Sequence, residues 1–366
     1  MAGRRHSFAP FRHATWALVG ATALLPGCGW PGLIAGALAT PTSDDDAATN
    51  VAIAGGTAWV ARSASGLERL DLDSGASRRF RAPAPADRID DIAVADGLLF
   101  ALDAAPPGNL LVFRVEADGS PRLLTSTVVP VGPFSGVAAA GGHVIVSGGT
   151  SRLTLRRYAI DGSLSPPATA DFGRGQPDIA LAGGGRVALV STHVQGPRFG
   201  LTVADVESSP LALRERGYVE LEGAGFTDGG FRPANFPLQS VAYGDHVLVA
   251  HGGGLSVLDA PAGAAPTLLA TLPLPLQATA IAVDAGARRA FVVGADPRPG
   301  LLEIDLEDPT APRVVAQRAL PADGSPCAIA LQATHLVVAL QGGGVHVEAR
   351  AARSLSPAAT PQETSP

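Results

Sequence analysis

A short phrase recurs along the whole chain, and it limits the fold more than any other feature. A β-branched residue is followed by alanine, an apolar residue, a tight Gly or Asp turn and a second apolar run. The copies read VAIAGGTAWVA from Val51, IAVADGLLFAL from Ile92, VAAAGGHVIVS from Val137 and IALAGGGRVALVS from Ile179. They continue as VAYGDHVLVA from Val241, IAVDAGARRAFVV from Ile281 and IALQATHLVVA from Ile329. The starts lie 41, 45, 42, 62, 40 and 48 residues apart. A repeat of this length means one architecture built from stacked units, not a string of unrelated domains.

Each pair is followed by a third run that alternates and ends in turn residues. Examples are LERLDLDSG from Leu67, LLVFRVEADG from Leu110 and LLEIDLEDP from Leu301. Alternation of period two is the mark of a strand with one buried face. A weaker fourth run, such as PRLLTSTVV or PTLLATLPL, fits before the next copy. Four short strands per unit and seven units predict an all-β fold, a seven-bladed β-propeller with four-stranded antiparallel blades over residues 51–350. Alanine at the second position (Ala52, Ala93, Ala138, Ala180, Ala242, Ala282 and Ala330) suits innermost strands crowded around an axis. A solenoid would need a more uniform period and end caps. Either Ala352–Leu355 or the segment before Val51 would supply the strand that closes the last unit.

Residues 1–39 read as an export signal, with arginines first and then the apolar run ATWALVGATALL, 12 residues long. Two exits are written there. LPGC resembles a bacterial lipobox with Cys28 as the lipidated residue; ALA, Ala37–Ala39, is a small-x-small cleavage pattern. A lipid-anchored envelope protein and a freely exported one are both expected, facing the periplasm or the surface. Residues 40–50 form a polar linker, and 351–366 a disordered Pro/Ser/Thr-rich tail.

The net charge of −6, without any lysine, offers no basic field for nucleic acid. Two cysteines, Cys28 and Cys327, are too few for a cysteine-built metal centre. Cys327 reads as a reactive thiol near the axis or as a small buried hydrophobe. No cofactor is expected beyond an occasional structural calcium ion.

The units resemble the LVIVD-repeat propellers of the bacterial envelope, near the wider YVTN-type group. GLERLDLDSG, GLSVLD and GLLEIDLEDPTAP carry that resemblance. It implies a surface or envelope protein involved in binding or assembly, and carries over no catalytic set.

Blade geometry puts the clipped turns on one face and the long connections on the other. The longest connection is GAGFTDGGFRPANF, Gly223–Phe236. Phe226, Phe231 and Phe236, with Asp228 and Arg232, form either a recognition patch or a loop packed onto the scaffold. His193 and His251 join that face, with Asp103 as a further oxygen donor. Asp91 and Asp178 precede the inner strands of units 2 and 4. There they either serve as an acid–base or cation-binding pair in the axial channel, or cap backbone N–H groups. The expected function is recognition of an envelope protein or a surface glycan. The alternative is an axial-channel hydrolase or lactonase acting on a small molecule.

Overall fold

The structure, a computed structural model, describes residues 47–350 apart from 132–134, 149–150, 183–185, 194–198, 222–238, 296–297, 323 and 342–343. The first sheet holds β1 (Asn50–Ala54), β2 (Thr57–Ala61), β3 (Leu67–Asp71) and β4 (Ser77–Phe80). The second holds β5 (Asp91–Ala95), β6 (Leu98–Asp103), β7 (Asn109–Val115) and β8 (Pro121–Val128). The third holds β9 (Gly136–Ala140), β10 (His143–Ser147), β11 (Arg152–Arg157) and β12 (Ala168–Asp171). The fourth holds β13 (Arg174–Ala182), β14 (Arg186–His193), β15 (Phe199–Ser208) and β16 (Leu211–Glu220). The fifth holds β17 (Gln239–Tyr243), β18 (His246–His251), β19 (Gly254–Asp259) and β20 (Thr267–Leu272). The sixth holds β21 (Ala278–Asp284), β22 (Arg289–Gly294), β23 (Gly300–Asp305) and β24 (Arg313–Ala319). The last holds β25 (Ser325–Leu331), β26 (His335–Gln341) and β27 (Gly344–Ala349).

Within every sheet the strands pair in sequence order and antiparallel, a simple meander. The turns explain the register. Ala54 pairs with Thr57 across Gly55 and Gly56, whose φ values of 52° and 75° are those a two-residue hairpin turn requires. Asp96 and Gly97 repeat this between β5 and β6, at φ 51° and 75°.

The innermost strands β1, β5, β9, β13, β17, β21 and β25 contact one another in succession, and β25 returns to β1. Between successive sheets lie separate apolar layers. Trp59 and Leu67 of the first sheet meet Ile92, Leu99 and Phe113 of the second. Ala48, Val51 and Val60 meet Cys327, Ala328 and Val337 where the last sheet adjoins the first. The alternating strands thus bury both faces of a sheet, each against a different neighbour, and the outer strands stay half-exposed.

Two expectations need correction. Four-stranded blades number six, not seven: the last sheet has only three strands among the described residues. The described chain ends at Arg350, directly after β27. After β27 the Arg350 N–H turns back to the Thr334 carbonyl at 2.7 Å, and the guanidinium donates to Asp284 Oδ2 at 2.7 Å and lies over the Phe291 ring. These contacts tie the end of β27 to the β25–β26 turn and to the sixth blade. The seven-bladed LVIVD/YVTN type is withdrawn with it: that resemblance rested on turn-forming residues, which many propeller strands share. The segments considered for closure, Ala352–Leu355 and the chain before Ala47, lie outside the described residues. So do the export signal with Cys28 and the tail. Ala47, Ala48 and Thr49 are buried beside the last sheet.

Phe100 is fully buried and its ring sits 4.7 Å from that of Tyr158 in the third sheet. Phe100→Ala removes an inter-blade contact and leaves a cavity, so we expect a loss of about 3–5 kcal/mol, read from urea unfolding midpoints.

Candidate functional site

The residue just before each Val/Ile–Ala pair forms a column around the axis: Asn50, Asp91, Gly136, Asp178, Ser240, Ala280 and Ala328. In this column Asn50, Asp91, Asp178 and Ser240 join the first blade to the second, the second to the third and the fourth to the fifth. Asn50 accepts the Val51 N–H at 2.6 Å and donates its amide to Asp91 Oδ1 on the next blade. Asp91 Oδ1 also takes the Ile92 N–H at 2.9 Å. Its Oδ2 takes the Val137 N–H of the third blade at 2.6 Å. Asp178 Oδ2 accepts both the Ser240 N–H at 2.6 Å and the Ser240 hydroxyl at 2.7 Å from the fifth blade. Gln239 Oε1 carries the pattern on by accepting the Ile281 N–H at 2.8 Å.

Asp91 and Asp178 lie on blades two and four, with Gly136 between them on blade three. Gly136 is there for space, since its backbone has no positive φ. A Cβ on it would stand 3.3 Å from Asp91 Oδ2. The Asp178 charge reaches Asp91 across blade three and helps to raise it. Burial pushes the Asp91 carboxyl up to about 7, against the lowering effect of its three N–H donors. Burial likewise raises Asp178 to about 6, again opposed by hydrogen bonds from Ser240 and Ile179. Asp91 keeps 7% exposure and Asp178 is half-buried. Asp178 lies inside β13, past a bulge between Gly175 and Asp178, not ahead of the strand.

The other candidates separate. His251 ends β18 fully buried. Its Nδ1 accepts the Gly253 N–H at 3.1 Å, which leaves Nε2 to donate to Ser256 Oγ at 2.9 Å. Burial lowers it to about 4, so it is a neutral structural residue and not part of an exposed binding face. Asp103 is also buried, and holds the backbone N–H groups of Ala105 and Asp87. His193 closes β14 in register with Arg174. Phe226, Asp228, Phe231, Arg232 and Phe236 lie outside the described residues. Cys327 is buried and is no free thiol, which removes the reactive-thiol reading. Among the described residues no group of three or more His, Cys, Asp or Glu side chains is placed to hold a metal ion, and Asp91 and Asp178 alone do not make a calcium site.

Sequence reasoning passed over Asn50, Gly136, Gln239 and Ser240. The signal existed: four of the seven column positions hold Asn, Asp or Ser, one step before the alanine that marked the repeat.

The comparisons agree on fold and go no further. No protein-family model matches the chain, and no curated protein does. A protein from Lactobacillus plantarum matches in structure at 17% identity and a TM-score of 0.61, over 78% of this chain and 88% of that one. A Bacteroides fragilis protein provisionally called a 6-phosphogluconolactonase matches at 11% identity and a TM-score of 0.62, over 85% and 93%. The β-propeller domain of Cps50 (Swd1) from Myceliophteria thermophila matches at 11% and 0.61, over 83% and 97%. The chain is thus an all-β propeller of four-stranded antiparallel blades. Identity this low says nothing about activity.

The sign of the pH dependence follows from the shifts. Both aspartates have folded pKa values above 3.8, so the folded chain holds protons that the unfolded chain has released. Their contribution is greatest in acid and is lost as pH rises through about 6 and then about 7. His251 works oppositely: its folded value is depressed, so its contribution is lost as pH falls from 6.5 toward about 4. We expect thermal melts to show lower stability at pH 8 than at pH 6, with Asp91→Asn abolishing most of that difference.

Proposed function

We propose that the protein is a small-molecule hydrolase of the lactonase type, working at the axial end of the inner strands. One observation carries the reading. Two carboxylates stand at the same position of the inner strands of blades two and four, electrostatically coupled, with titrations near 7 for Asp91 and near 6 for Asp178, which leaves one ionised and the other half-protonated at neutral pH. That is the division of labour acid–base hydrolysis needs. Asp178 takes a proton from water as the oxygen attacks the lactone carbonyl. Asp91 gives its proton to the ring oxygen as the C–O bond breaks. The product is a hydroxy acid, and one proton passing back from Asp178 to Asp91 resets the pair. Ser240 positions Asp178 through two hydrogen bonds, and Asn50 positions Asp91. Two proteins provisionally called 6-phosphogluconolactonases share the propeller fold, at 11% identity in both cases. Recognition of an envelope protein or glycan through Gly223–Phe236 stands as a second proposal, resting on aromatic content alone.

The test is hydrolysis of γ- and δ-lactones and aryl esters, followed by acid release. Turnover should rise with ionisation of Asp178 near pH 6 and fall with loss of the Asp91 proton near pH 7. Asp178→Asn should lower kcat by about 100-fold or more, with an unchanged circular dichroism spectrum. A wild-type protein without turnover on any of these substrates, or an Asp178→Asn variant with the wild-type rate, would refute the proposal.

A further inference from the structure

Two arginines lead into the inner strands that carry the axial carboxylates, and both are held elsewhere. Arg88 stands three residues before Asp91. Its Nε donates to Asp90 Oδ1 at 2.6 Å and its Nη2 to the Ser63 hydroxyl of the first blade at 2.7 Å. Asp90 is fully buried; burial pushes its carboxyl up, and the Arg88 charge opposes that. The cation is therefore tied to keeping Asp90 ionised. Arg174 stands four residues before Asp178. Its guanidinium pairs with Glu215 at 2.8 Å and lies 4.5 Å from the centre of the Tyr218 ring. Both partners belong to β16, the outermost strand of the fourth blade, so this charge is carried outward from the axis.

The axial column itself holds no basic residue at any of its seven positions. Among the described residues, every group bonded to the two carboxylates is neutral. Asp91 accepts from the Asn50 amide and from the Ile92 and Val137 N–H groups, and Asp178 from the Ser240 N–H and hydroxyl. The charge that acts on Asp91 is that of Asp178, and it has the same sign. Negative charge at this end is thus held by dipoles instead of by a cation. Those dipoles are committed to the oxygens they already bond. A further anion brought here meets repulsion, without an arginine of the column to receive it.

We propose that the axial site takes an uncharged lactone and rejects one that carries a phosphate or carboxylate group. This deepens the hydrolase reading and rests on it. A bound anion acts twice against catalysis. It is repelled, and its like charge raises the Asp178 carboxyl, which protonates the base that must activate water. An uncharged ring does neither. The product behaves in the opposite way. Ring opening yields a carboxylic acid whose proton is lost at neutral pH, so the product carries a charge that the substrate lacked. The same repulsion then favours its release.

The experiment uses pairs of compounds that share a ring and differ by one anionic group. Initial rates of the intact protein are measured at low ionic strength for δ-gluconolactone and for its 6-phosphate. We expect kcat/KM to favour the uncharged lactone about tenfold or more, with the ratio shrinking as salt is added. Binding is measured by NMR titration with pyrrolidinone and pyroglutamate, hydrolysis-resistant γ-lactams that differ by one carboxylate. Pyrrolidinone should bind about fivefold tighter or more, and Asp91→Asn/Asp178→Asn should bring the two within about twofold. An unchanged circular dichroism spectrum shows that the double variant folds. Equal or faster turnover of the phosphate overturns the charge selection and leaves hydrolysis in place. Equal affinity of the intact protein for the two lactams also overturns it, as does a preference for pyrrolidinone that survives in the double variant. Absence of turnover on both lactones refutes the hydrolase reading and this proposal with it.

Discussion

The crowding of the inner strands around a common axis is the constraint from which the other features follow. Each inner strand touches the next, and the alanine after each Val or Ile marks the position where bulk is limited. Because the sheets radiate outward, each must bury one face against the preceding sheet and the other against the following one. The apolar layers between sheets do this, with Phe100, Trp59 and Phe199 as their largest fully buried side chains. Among the described residues the apolar clusters are separate layers, not one central core. Stability is therefore spread over contacts between neighbours, as in other repeat architectures.

Convergence also creates the polar chemistry. Backbone N–H groups at the entrance of the inner strands have no ladder partner within their own sheet, and must find one. The Asn50, Asp91, Asp178 and Gln239 side chains supply it across blade boundaries. Carboxylates do this at a cost, because burial disfavours their ionised form. The opposing effects, burial against N–H donors, leave both aspartates titrating near neutrality. A structural role and an acid–base role thus come from the same two side chains.

Much of this was legible and some was not. The strands announced themselves by alternation, and the turns by Gly55–Gly56, Asp96–Gly97 and Gly141–Gly142. Even the weak fourth runs became real strands, such as Pro121–Val128 and Thr267–Leu272. The last sheet was misjudged because the repeat suggests a complete unit there, whereas only three of its strands stand among the described residues. His251 looked like a face residue, since it ends a strand before a glycine turn. Burial depends on what packs against it, here Ser256, itself bonded to Thr271, and linear order does not state that. Asp91 and Asp178 were singled out from position, but Gly136 was overlooked because a missing side chain leaves no mark in a list of chemical groups.

By itself the sequence determined the all-β class, the meander of short antiparallel strands, the turn positions and the identity of the inner strands. These are local properties: period-two alternation and turn chemistry act over a few residues. Only the tertiary structure decided how many sheets are complete among the described residues and which polar groups bridge blades. Asp91 meets Val137 across 46 positions and Asp178 meets Ser240 across 62. Such neighbours are set by ring closure and sheet packing, which bring together residues whose separation along the chain carries no sign of their contact.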